Sequence, residues 1–185
     1  VQPGGAAYRS AHIRDTLVVY LPRPVRMGDT VQFTIDYAVR VKNGDGLTFI
    51  EADSLPHRRP RQIWSQGEDD NNHDWFTTYD FPNDKATWDL IATVPKGFTA
   101  IPNGVLSADR PNRDGTRTMH WSQTRPSATY LVSLVVAPLV KVPDRWRTIP
   151  VDYYVYSADS ARARPPFRVT PDMIDVYSSL TGVKY

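Results

Sequence analysis

Hydrophobic and polar residues alternate most cleanly over Val31, Phe33, Ile35, Tyr37, Val39 and Val41, with Gln32, Thr34, Asp36, Ala38, Arg40 and Lys42 between them. A period of two sends one set of side chains to a core and the other to solvent, so the stretch predicts a β-strand. Asn43-Gly44-Asp45-Gly46 tolerates positive φ and ends it, and Leu47 to Ile50 resumes an extended run; together they predict a hairpin. Thr16 to Leu21 predicts a shorter strand closed by Pro22 and Pro24, and Gln62 to Gln66 another. Trp88, Leu90, Ala92 and Val94 alternate up to the Pro95-Lys96-Gly97 turn, and Phe98 to Ile101 lead into Asn103-Gly104. Asn112-Arg113-Asp114-Gly115 separates Val105 to Ala108 from Thr116 to Trp121, a second hairpin. Tyr130 to Val136 is nearly all apolar, the pattern of a strand covered on both faces or of a buried helical turn. Ile149, Val151, Tyr153 and Val155 alternate once more, and Arg162, Arg164 and Pro165-Pro166 read as a connector.

Helical spacing comes only at the end. Thr170 suits an N-cap, Pro171 the first helical position and Asp172 the positive end of the dipole, while Met173, Ile174, Tyr177 and Leu180 recur on one face and Gly182 stops the run. An amphipathic helix that closes a β domain needs a cover for its apolar face, which makes it a candidate first element of a neighbouring domain.

Composition agrees with the strand count. The 185 residues include 16 prolines and 11% aromatics, which suits many short strands divided by turns and gives an all-β expectation: an antiparallel, multi-stranded saddle or sandwich-like domain with a C-terminal helix. A hydrophobic content of 41% supports a sizeable core and excludes a disordered chain, and the absence of cysteine excludes a disulfide scaffold, a thiolate metal site and a thiol nucleophile. Lys plus Arg number 22 against 20 Asp plus Glu, and a net charge of +2 supplies no field for gripping a polyanion, so nucleic acid is not an expected partner. No apolar run is long enough for a membrane span, and the chain reads as a soluble piece of something longer, with a lean to an extracytoplasmic location.

Candidate chemistry is sparse. His12, His57, His73 and His120 are scattered, without the spacing of a helical zinc site, and no nucleophile elbow, phosphate loop or dinucleotide fingerprint occurs, so neither a catalytic nor a metal-ligating residue is assigned. Gln66 to Asp74 concentrates oxygen atoms, but a calcium loop starting at Asp70 would need Gly where Trp75 stands and a carboxylate where Phe81 stands, which leaves a solvated acidic loop. Glu68 follows the strand ending at Gln66, where a scaffold can hold a carboxylate toward a cleft. One negative charge and one neutral acceptor, Glu68 with Gln66, match what a primary ammonium binds; an ordinary strand-end polar pair is the competing reading. Five tryptophans, Trp64, Trp75, Trp88, Trp121 and Trp146, raise carbohydrate stacking as an alternative, set against core packing of indoles in strands. A purely structural β module is the third class.

Ser65-Gln66-Gly67-Glu68, then Phe76, Tyr79-Asp80, Pro82 and Lys85-Ala86-Thr87-Trp88, resembles the signature stretch of the N-terminal β domain of the aminopeptidase N family of zinc metallopeptidases. That family usually shows Thr-Gln-x-Glu (or Gln), then Phe-Pro-Cys-Phe-Asp-x-Pro-x-x-Lys-Ala. Ile101-Pro102-Asn103-Gly104 is similar to its Leu-Ser-Asn turn, and Thr124 to Val132 to its Thr-x-Pro-Met-Ser-Thr-Tyr-Leu-Val strand. Departures are Thr77-Thr78 for Pro-Cys, His73 where many members carry Arg, and Ser127-Ala128 for Met-Ser. The resemblance implies that residues 1–168 are the N-terminal β domain, without its first strands, and that residues 169–185 begin a catalytic domain absent from this chain. It implies that zinc belongs to that absent domain, with no cofactor in this one. It further implies that Gln66 and Glu68 hold the free N-terminus of a peptide substrate while the following domain of the same polypeptide cuts it, so this chain alone has no peptidase activity.

Overall fold

The computed structural model describes residues 8–41, 46–53 and 59–185. The chain forms β1 (Arg9–Ile13), β2 (Thr16–Tyr20), β3 (Gly46–Ile50), β4 (Gln62–Gln66), β5 (Lys85–Val94), β6 (Thr99–Pro102), β7 (Val105–Pro111), β8 (Arg117–Ala128), β9 (Leu134–Ala137), β10 (Leu139–Trp146) and β11 (Ile149–Tyr156). Helices α1 (Ser160–Phe167) and α2 (Thr170–Thr181) follow, and short 3-10 turns lie at Asn71–Asp74, Thr129–Leu131 and Ser157–Asp159. The domain is all-β and antiparallel, as its patterning predicts.

Two sheets enclose the core. One runs β3-β4-β9-β6 and the other β5-β8-β7, with β1-β2 and β10-β11 as separate hairpins. Val94 of β5, Ala100 of β6, Met119 and Trp121 of β8 and Val136 of β9 are buried together, and Ile63, Ala92, Phe98 and Leu134 pack against them. Val94, Ala92, Met119 and Trp121 are inward members of alternating strands, whereas β6 and β9 are covered along most of their length and Phe98 packs in from the turn before β6. The Asn112 to Gly115 turn forms as expected: Asn112 and Thr116 close it through Asn112 N–H to Thr116 O at 2.8 Å, and Gly115 takes φ +85°.

Three expectations need correction. Residues 31–41 form no strand, with only a single bridge residue at Thr34, and Val31, Phe33, Tyr37 and Val39 stay exposed. A strand is held by its ladder, and β3, the expected hairpin partner, pairs instead with β4, from Gly46↔Gln66 to Ile50↔Gln62. The Asn43-Gly44-Asp45 part of the expected turn lies outside the described residues, as does His57. The second correction is α1, which occupies the stretch read as a connector. Pro165 and Pro166 each remove a backbone donor. Buried Ala163 and the stacking of Phe167 on Tyr153, ring centroids 4.7 Å apart, hold the helix against β11 regardless. Third, the apolar run from Tyr130 divides: Thr129–Leu131 is a 3-10 turn and only Leu134–Ala137 is strand.

The last helix matches its signals except at its start, where Val169 rather than Thr170 is the N-cap and no side-chain cap bond forms. α2 starts one residue after Val169, carries Pro171 in its first turn, and stops at Gly182 with φ +68°. Arg147, in the β10-β11 turn, ion-pairs with Asp175 at 2.7 Å and lies over the Trp146 ring, which anchors α2 to that hairpin. Met173, Val176, Tyr177 and Leu180 remain exposed. Among the described residues no helix is long and apolar enough to cross a membrane.

Candidate functional site

Strand β4 ends at Gln66, as predicted, and the chain turns at once through Gly67. Gly67 is buried, and a Cβ there would sit 2.3 Å from the Tyr130 carbonyl oxygen and 2.6 Å from the Asn72 side chain. Only glycine lets the loop pass this close. Gln66 and Glu68 flank it, both exposed. The peptide bond between Glu68 and Asp69 is cis. Asn71 braces the turn: its N–H donates to Gly67 O and its Nδ2 to Glu68 O, each at 2.9 Å. Among the described residues neither the Glu68 carboxylate nor the Gln66 side-chain amide makes a hydrogen bond or ion pair, so the loop fixes their backbone and leaves both heads to solvent.

Beneath the loop lies a buried polar network that the sequence reading missed. Asn72 is 0% exposed; its Nδ2 donates to Thr129 O at 2.7 Å and to Val132 O at 2.9 Å, while its Oδ1 accepts from Trp75 Nε1 at 2.8 Å. Asp80 is also buried, accepting from the His73 N–H at 2.8 Å and from the Thr129 hydroxyl at 3.0 Å. Ser65 Oγ accepts from Leu134 N–H, and Asn103 Oδ1 from Ser133 N–H. The similar stretches around Ser65 to Asp80, Asn103 and Thr129 are thus far apart in sequence and adjacent in space. Asp80 and Thr129 stood in the quoted motifs as residue types without a role. Asn72 carried no signal, since a polar residue in an acidic loop reads as solvated.

The network does not make a metal centre. His73 Nδ1 is 3.5 Å from Asp80 Oδ2 and its Nε2 is 3.9 Å from Asp74 Oδ1, but Asp80 is already taken up by a backbone N–H and a hydroxyl. Among the described residues no group of three or more His, Cys, Asp or Glu side chains could hold a metal ion, so the zinc implied by the resemblance does not fit this chain's described residues. The tryptophans differ in exposure, and Trp64 is 39% exposed. Trp121 and Trp146 are buried, Trp75 meets Phe76 edge-on at 4.6 Å, and among the described residues no two indoles are in ring contact.

A family sequence model, the peptidase M1 N-terminal domain, matches residues 7–131. Aminopeptidase B of Rattus norvegicus is 26% identical over 129 residues, covering 70% of this chain and 19% of that protein. Aminopeptidase N of Acetobacter pasteurianus is 23% identical over 172 residues, covering 92% of this chain and 48% of that protein. The chain spans half or less of the length of these curated relatives.

Proposed function

The chain belongs to the peptidase M1 N-terminal domain family, and on that premise we propose that it presents Glu68, assisted by Gln66, to the free α-ammonium group of a peptide substrate. The cut itself is made by a zinc-bearing catalytic domain that follows in the same polypeptide, with residues 169–185 as its beginning. Two relatives bear aminopeptidase names, which fits a domain that serves N-terminal cleavage. The extracytoplasmic lean gains no support from either.

The observation that carries the reading is the contrast at Gly67: a backbone pinned against Tyr130, flanked by a carboxylate and an amide whose heads are exposed. A pinned loop with a free acidic head suits recognition, because little ordering entropy is lost when a ligand arrives. An ammonium donates to the Glu68 carboxylate and to the Gln66 amide oxygen, and a charge-assisted bond of this kind is worth about 2 kcal/mol once water is displaced. An internal peptide amide carries no such charge, so the contact selects chain ends. Holding the first residue also sets where the first peptide bond lies, a contribution of position rather than of bond-breaking. The zinc, when bound in the catalytic domain, supplies Lewis-acid and water-activating chemistry.

The test is steady-state kinetics of the full-length polypeptide. Glu68→Ala is expected to raise KM for aminoacyl substrates and lower kcat/KM by about tenfold or more. Unchanged kinetics would remove the role.

A further inference from the structure

We infer that Asn72 is a positioning residue for substrate binding, acting through Glu68; this rests on the ammonium-binding reading of Glu68. The buried amide clamps one short turn to another. Asn72 sits in the Asn71–Asp74 turn, and its Nδ2 donates to the carbonyls of Thr129 and Val132, which bracket the Thr129–Leu131 turn. Trp75 Nε1, donating to Asn72 Oδ1, fixes which way the amide points, so both Nδ2 protons face the carbonyls. All three bonds lie between 2.7 and 2.9 Å on a residue with 0% exposure, where an amide left unpaired is costly.

Glu68 depends on this clamp through short covalent and hydrogen-bonded links. Gly67 is wedged between the Asn72 side chain and Tyr130 O, and Asn71, the neighbour of Asn72, donates through its own side chain to Glu68 O. The opposite turn, Thr129–Leu131, leads into β9, whose Val135 and Val136 pair with Trp64 and Ile63 of β4. The clamp therefore closes a ring: β4, the Gly67 turn, Asn72, the Thr129–Leu131 turn, β9, and back to β4. Releasing Asn72 opens that ring at the point nearest Glu68, while the ladder and the sandwich core stay intact. The carboxylate then loses its fixed position relative to the strand, and an ammonium that must meet both Glu68 and Gln66 binds less tightly.

The experiment uses the full-length polypeptide and an aminoacyl chromogenic substrate. Asn72→Asp keeps the volume but turns two donors into an acceptor facing two carbonyls. It is expected to raise KM about tenfold with kcat changed by less than about twofold. In the Glu68→Ala background the same substitution should leave KM within about twofold of Glu68→Ala alone, since a residue that acts through Glu68 has nothing left to position. Should Asn72→Asp fail to give folded protein, Trp75→Phe, which removes only the donor orienting the amide, is expected to raise KM about threefold, again only while Glu68 is present. If Glu68→Ala alone leaves KM unchanged, the ammonium role fails and the inference falls with it. If Glu68→Ala raises KM but neither Asn72→Asp nor Trp75→Phe does, or if the effects multiply in the double variant, the positioning role alone is overturned.

Discussion

Residues 31–41 and residues 66–80 are opposites. The first stretch has the cleanest alternation in the chain and forms no strand; the second has no periodicity and holds the most tightly tied loop among the described residues. Alternation states which face could be buried, but burial of a strand needs a ladder, and residues 31–41 have only the single bridge at Thr34, so Val31, Phe33, Tyr37 and Val39 stay exposed. The polar loop carries its instructions one side chain at a time. Gly67 admits a close approach, Asn72 satisfies two carbonyls, and Asp80 satisfies an amide and a hydroxyl. In this molecule order follows satisfied partners more closely than hydrophobic pattern.

The sharpest way to break the contrast is Gly67→Val. Its Cβ would meet Tyr130 O and Asn72, both in the ring just described, so unfolding free energy measured by denaturant titration is expected to fall by about 3 kcal/mol. Tolerance of valine without loss would show that the close approach at Gly67 does not hold the loop.

An effect of middle size is expected on the far sheet, where Arg117 pairs with Asp109 across β7 and β8. Hydrogen bonding to Arg117 leads the causes that hold the Asp109 carboxyl below the ordinary aspartate range, ahead of the opposing effect of burial. A carboxylate whose folded pKa is depressed stabilises the fold above its unfolded pKa, and that contribution is lost as pH falls through the folded value. The pair is partly open to water, so Asp109→Asn is expected to cost at most about 1 kcal/mol near neutrality. The difference from the parent chain should shrink as pH falls below the ordinary aspartate value and vanish in strong acid. A cost that persists undiminished there would point to packing rather than charge.

The smallest effect belongs to the other half of the comparison. Phe33→Ser and Tyr37→Ser remove exposed rings, 42% and 55% accessible, and each is expected to change stability by less than about 0.5 kcal/mol. A loss of several kcal/mol in thermal or denaturant unfolding would show that the alternating stretch is packed after all.

Much of the architecture was legible in the sequence because it rests on local chemistry. β4 and β5, the Asn112 to Gly115 turn and the Gly182 stop each follow from side-chain period or from a residue that accepts an uncommon φ. β1 and β10 were not among the predicted strands; β10 holds Pro143 on a two-stranded hairpin, where a missing donor is tolerated. α1 ran against local preference and is held by Ala163 and the Tyr153–Phe167 stack, which no window of sequence displays. Gln66 and Glu68 could be singled out from residue type and strand position as candidates for the proposed ammonium contact, beside the reading of an ordinary strand-end polar pair. Asn72 could not, because its importance is the distance to Thr129 and Val132, which are 57 and 60 positions away in the chain.

The central claim, that an acidic head on a pinned loop reads the charged end of a peptide, is tested most directly by a ratio of affinities. In the full-length polypeptide, the inhibition constant of an amino-acid-derived inhibitor is compared with that of its des-amino counterpart, before and after Glu68→Gln. A preference for the amine of about thirtyfold, as a 2 kcal/mol contact implies, should collapse toward unity in the variant. The same preference in both proteins would contradict the account.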